Sequence, residues 1–149
     1  MNRVFPVIVF AILWATTASA STSTQVRNIA DPVHHPYQQF AIANCTIQGD
    51  CAIVFPAMSG TRTLILHASC NFALATGNSI SYAMLGIQNA NPRNSLQVFA
   101  NGSSSGFTAY GINSDTYLFY EKGDQPRIDV FGLGGPVQNL TCTVSGYYY

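Results

Sequence analysis

The chain has 149 residues, with 6 Lys and Arg against 6 Asp and Glu, and only 8% of it is charged. So few basic side chains leave no electrostatic footprint for a phosphate backbone, which argues against nucleic acid as a partner. A hydrophobic share of 48%, with 12% aromatic, is far from the composition of a disordered chain, so its polar stretches read as loops of a folded domain.

At the start, Asn2 and Arg3 precede an apolar run from Val4 to Ala15, and the small residues Ala18, Ser19 and Ala20 follow. This is the pattern of a secretory signal peptide over 1–20, cleaved near Ala20, which would remove the only Trp, Trp14. The apolar run is shorter than the roughly 20 residues a membrane helix needs. No later run approaches that length, so no membrane span is expected after cleavage. Residues 21–36 are polar and broken by Pro, and read as an extended leader. Export to an oxidising compartment makes Cys45, Cys51, Cys70 and Cys142 disulfide partners rather than metal ligands. Cys45 and Cys51 flank TIQGD between strand-like runs, so they can face each other at the neck of a hairpin. That hairpin would set Ala43 opposite Ile53 and Ala41 opposite Phe55; Cys70 and Cys142 then pair by default.

From Tyr37 onward, short runs alternate with QGD, PAMSG, TGN, NANPRN, NGSSSG, KGDQP and GLGGPVQN, the spacing of an all-β chain. The expected fold is a single antiparallel β-sandwich, jelly-roll-like or similar, over 37–149, with two disulfides. Alternation puts Leu64, Leu66, Ala68, Cys70, Phe72 and Leu74 on a core face, with Thr63, Ile65, His67, Ser69 and Asn71 opposite. Ile80, Tyr82 and Met84, then Leu96 and Val98, then Ile128 and Val130 are core candidates by the same rule. YLFYEKGDQPRIDVF reads as a hairpin turning at Gly123 and Asp124, its first strand apolar on both faces through Tyr117, Phe119 and Tyr120. Near the end, Leu140, Cys142 and Val144 face inward, against Thr141, Thr143 and Ser145.

Pro36, Tyr37 and Gln38, the Cys45 to Cys51 element and the closing run Thr143 to Tyr147 resemble a group of small exported bacterial proteins of unknown function. The resemblance implies export and a β-sandwich and carries no catalytic or binding residue. PAMSGT departs from the turn that group has before its third strand.

Candidate chemistry is sparse. His34 and His35 are adjacent and point to opposite sides of an extended chain, so with Asp31 they offer only a loose metal site. His67 lies on the polar face of its strand, and Ser104 has no base beside it in sequence. Asp115, Glu121, Asp124 and Asp129 fall at or beside turns, too scattered for a paired-carboxylate site. Asn113 and Asp115 are placed like the start of a calcium loop whose glycine is missing. Neither catalytic, metal nor cofactor residues are assigned. The aromatic side chains Tyr110, Tyr117, Tyr147 and Tyr149 are the possible ligand-facing groups. Asn44, Asn101 and Asn139 stand in glycosylation sequons. These features point first to a non-catalytic, secreted or periplasmic domain that binds a protein or glycan or serves the cell envelope. A carbohydrate-binding module is the second reading; a pilus-type subunit and a small secreted hydrolase follow.

Overall fold

A computed structural model describes residues 35–46, 49–60, 62–90 and 93–149. The signal-peptide assignment and residues 21–34 of the leader, with His34 and Asp31, lie outside the described residues; His35 and Pro36, the last two residues assigned to the leader, are in a strand. Among the described residues nine strands form: β1(His35–Ala43), β2(Asp50–Val54), β3(Arg62–Ala75), β4(Ser79–Ile87), β5(Arg93–Ser95), β6(Val98–Ser104), β7(Phe107–Glu121), β8(Pro126–Leu133) and β9(Gln138–Tyr148). They make a five-stranded sheet in the order β1-β9-β3-β7-β6 and a four-stranded sheet in the order β2-β8-β4-β5, every pairing antiparallel. The fold is the expected β-sandwich. The chain changes sheet at every connection except β4–β5 and β6–β7. At β6–β7 the loop Ser105-Gly106 has φ 48° and 86° at its two residues, the positive-φ pair that a tight hairpin turn demands.

Alternating strands bury one face of each sheet against the other. Ile65, Leu74, Leu85, Ile112, Ile128 and Leu140 are fully enclosed, and Tyr120 spans the core from β7 to donate its hydroxyl to the Gly86 carbonyl on β4, 3.0 Å away. That bond joins the sheets and satisfies a buried polar group. Both expected disulfides form, and no cysteine is free. Cys70 and Cys142 are directly opposed on β3 and β9, inside the core.

Three sequence expectations are corrected. Cys45–Cys51 does not close a hairpin: β1 pairs with β9 and β2 with β8, so Ala43/Ile53 and Ala41/Phe55 are not ladder partners and the bridge ties one sheet to the other. Likewise the chain does turn at Gly123 and Asp124, but β7 and β8 belong to different sheets. A local turn signal cannot distinguish a hairpin from a bend that crosses the sandwich.

The third correction concerns bulges. Between Ile65 and His67 the register of β3 shifts against both neighbours, so Thr63 and Ile65 are buried on one side of the shift and Ala68, Cys70, Phe72 and Leu74 on the other. Leu64 and Leu66 therefore leave the core face. A shift between Ile80 and Tyr82 does the same to β4: Ile80 packs on the core, but Ala83 and Leu85 replace Tyr82 and Met84 as buried residues. One extra residue inverts every side chain beyond it.

Candidate functional site

The outward face of the five-stranded sheet gathers most of the side chains that the sequence offered for binding. Its register lines them up in rows. Gln38, Ser145, His67 and Asp115 form one; Phe40, Thr143, Ser69 and Asn113 the next; Ile42, Thr141, Asn71, Gly111 and Phe99 a third. Neighbouring strands are about 4.8 Å apart and same-face residues along a strand about 6.8 Å, so hydroxyl, amide and imidazole groups recur on a flat lattice. Gly111 is required here because Phe99 lies across it, where a Cβ would meet the ring at 2.7 Å.

At one end the polar rows meet an apolar row, Pro36, Tyr147, Leu64 and Phe119. The Arg62 guanidinium stacks over the Phe119 ring at 4.3 Å and reaches Glu121 at 3.4 Å. Tyr117 stands between this row and the polar ones, 76% exposed. Unbroken alternation along β7 puts it there: where β7 carries one more residue than β3, Thr116 faces inward and donates to the Ile65 carbonyl at 2.9 Å, and Tyr117 faces out. At the opposite end, Ala73, Ala109, Phe107 and the β6 residues Asn101 to Ser104 line an open depression of about 370 Å³.

The imidazole Nδ1 of His67 lies 3.1 Å from Asp115 Oδ1, an exposed pair. Sequence reasoning missed it, because the partners are 48 residues apart and only strand pairing brings them together. Ser145 is their register neighbour, so a hydroxyl, an imidazole and a carboxylate stand in sequence across three strands, the residue types of nucleophilic catalysis. No hydrogen bond joins Ser145 to His67, however. The site also lies on a flat sheet face whose backbone N–H groups serve the ladders rather than an oxyanion.

The remaining candidates fall elsewhere. Tyr110 belongs to the core: its ring stacks on Phe72 at 5.7 Å and its hydroxyl donates to the Asn78 carbonyl. Tyr149 is partly exposed at the end of β9, where its N–H bonds the Arg62 carbonyl. His35 stacks on Tyr148. Asn113 and Asp115 sit inside β7 rather than in a calcium loop, and among the described residues no group of three His, Cys, Asp or Glu side chains could hold a metal. Asp129 is not at a turn but within β8, buried, where Arg127 holds it at 2.6 Å and Arg93 at 3.7 Å.

Two tyrosines behave differently from the rest. Burial pushes the Tyr37 phenol up to about 12, and its enclosed hydroxyl has no hydrogen-bond partner among the described residues. Burial also raises Tyr120, and the nearby Tyr37 and Asp124 add to the effect. Neither reaches the outer face, so both are structural. Comparison of the chain with protein-family models, with curated proteins and with solved structures finds no match. Among the described residues no helix is long and apolar enough to cross a membrane. The two disulfides fit a chain folded outside the reducing cytosol.

Proposed function

We propose that the protein is a non-catalytic exported domain that binds its ligand on the outer face of the five-stranded sheet. The supporting observation is the ordered lattice of uncharged donors and acceptors, bounded by exposed aromatic rings at one end and an apolar-floored depression at the other. A packed core does not require such a face. A neutral glycan is the ligand class this chemistry favours: hydroxyl-rich chains bond to Ser, Thr, Asn and Gln, while Tyr117 and Phe119 offer ring faces to a sugar's C–H surface. The only ionisable side chains in the polar rows are Asp115 and its partner His67, so no charged patch selects an ionic ligand.

Affinity electrophoresis through gels containing neutral polysaccharides tests the reading. Wild type should be retarded by at least one of xylan, soluble cellulose derivatives or glucan, and Tyr117→Ala should lose at least about tenfold in affinity. Tyr82→Ala, on the opposite sheet, should not. Retardation by none of them overturns the glycan assignment; retardation that Tyr117→Ala leaves unchanged overturns the face.

A further inference from the structure

Four strands lie at sheet edges, and three of them are blunted against pairing with another chain. β5 has three residues and carries Arg93; β2 has five and begins with Asp50; β6 is broken by a register shift at Ala100/Gly102, with Gly102 at φ 136°. Short edges, charges and bulges are the usual protections of an open ladder. β1 has none of the three, and its one proline, Pro36, stands at its second position, clear of Gln38 to Ile42. Its nine residues, HPYQQFAIA, contain no Lys, Arg, Asp or Glu, its pairing with β9 runs without a shift, and it exposes Phe40 by 59% and Ile42 by 61%.

The backbone groups open on that edge follow from the disulfide beside it. Cys70 and Cys142 have Cα atoms 4.1 Å apart, the narrow spacing of a pair that exchanges no backbone hydrogen bonds. The N–H and C=O of Cys142 therefore point the other way, to Ala41 of β1. Ala41 is thus bonded to β9, and by alternation Gln38, Phe40 and Ile42 direct their N–H and C=O to the free side. Among the described residues nothing is hydrogen-bonded to those groups.

We propose that this edge is the docking surface for a second copy of the chain, with the two β1 strands pairing antiparallel about a two-fold axis at Ala41. A strand that meets its own copy juxtaposes its own charges, and β1 has none to repel. An axis at Ala41 sets Phe40 opposite Ile42 of the second copy, and Ile42 opposite Phe40, giving two aromatic–aliphatic cross-strand pairs from the strand's two most exposed apolar side chains. It also keeps Pro36, which has no N–H to donate, outside the ladder. The result is one continuous ten-stranded sheet in which the polar rows of both copies share a face. This assembly does not depend on what the face binds.

Sedimentation equilibrium over a concentration series, with amide hydrogen exchange at the same concentrations, tests the pairing. Wild type should dimerise reversibly, with protection of the Gln38, Phe40 and Ile42 amides rising with concentration. The doubly substituted Phe40→Lys/Ile42→Lys and Phe40→Glu/Ile42→Glu proteins should each be monomeric. Mixed together, they should form a heterodimer, because each Lys then meets a Glu. A monomeric wild type at about 1 mM overturns the proposal. So does a dimer that either double substitution leaves intact, or a mixture of the two folded variants that stays monomeric. Protection of the three amides that is independent of concentration, in a monomer, assigns the edge to a segment of the same chain and also overturns it.

Discussion

The two outward faces of the sandwich use the same backbone geometry for opposite ends. On the four-stranded sheet, Arg127 contacts Asp129 at 2.6 Å and Asp50 at 3.6 Å, Arg93 approaches Asp129 at 3.7 Å, and Tyr82 stacks on Phe131 at 5.3 Å. Its functional groups are occupied with one another, and Asp129 is buried beneath its partners. On the five-stranded sheet, Ser69, Asn71, Asn113, Thr143 and Ser145 make no side-chain hydrogen bond among the described residues, and Tyr117 protrudes. A self-satisfied face stabilises the fold; an unsatisfied one, kept wet, is available to a ligand.

The largest effects should come from what holds each sheet. Replacing Cys70 and Cys142 with Ala opens a loop with a sequence separation of 72 and should cost about 4 kcal/mol; replacing Cys45 and Cys51, separated by 6, should cost about 2 kcal/mol. Urea unfolding checks both, and equal losses would mean that tying the sheets together matters as much as loop length. Gly146→Ala should cost more than about 3 kcal/mol, because a Cβ there would run into the Leu64 carbonyl at the register shift, a backbone atom that cannot move aside.

The comparison sharpens with one carboxylate from each face. Asp129→Asn should destabilise by about 2 kcal/mol, since it leaves two arginines without their shared partner. Asp115→Asn, at an exposed pair, should stay within about 0.5 kcal/mol of wild type. Thermal unfolding distinguishes these outcomes.

A smaller effect concerns the core that both faces share. Tyr37 and Tyr120 have folded-state pKa values above the ordinary tyrosine value of 10, so the unfolded chain ionises first. Stability is then fully present below about pH 10 and is lost as pH rises through the raised values, beginning between pH 10 and 12. Tyr120→Phe should flatten that fall while costing about 1 kcal/mol near neutrality for its lost bond to Gly86.

How far the sequence could be read depended on how local each signal was. Turn clusters and alternating runs marked an all-β sandwich, and the inward parity of Leu140, Cys142 and Val144 was correct because β9 keeps an unshifted register with β1 over these residues. Leu64, Leu66, Tyr82 and Met84 were misassigned because a bulge is defined by the partner strand, and it leaves no mark in the strand's own alternation. The site was legible only in part. Tyr117 and His67 were visible as residues, but the rows that place His67 beside Asp115, and Ser69 between Thr143 and Asn113, exist only once β9 and β7 flank β3.

The claim that the five-stranded face is the binding surface meets its most direct test in amide chemical-shift mapping, with soluble neutral oligosaccharides titrated into isotope-labelled protein. The account predicts shifts concentrated at Ser69, Asn71, Asn113, Tyr117, Thr143 and Ser145. Shifts centred instead on Tyr82, Phe131 and Arg127 would contradict it, as would the absence of any shift at millimolar ligand.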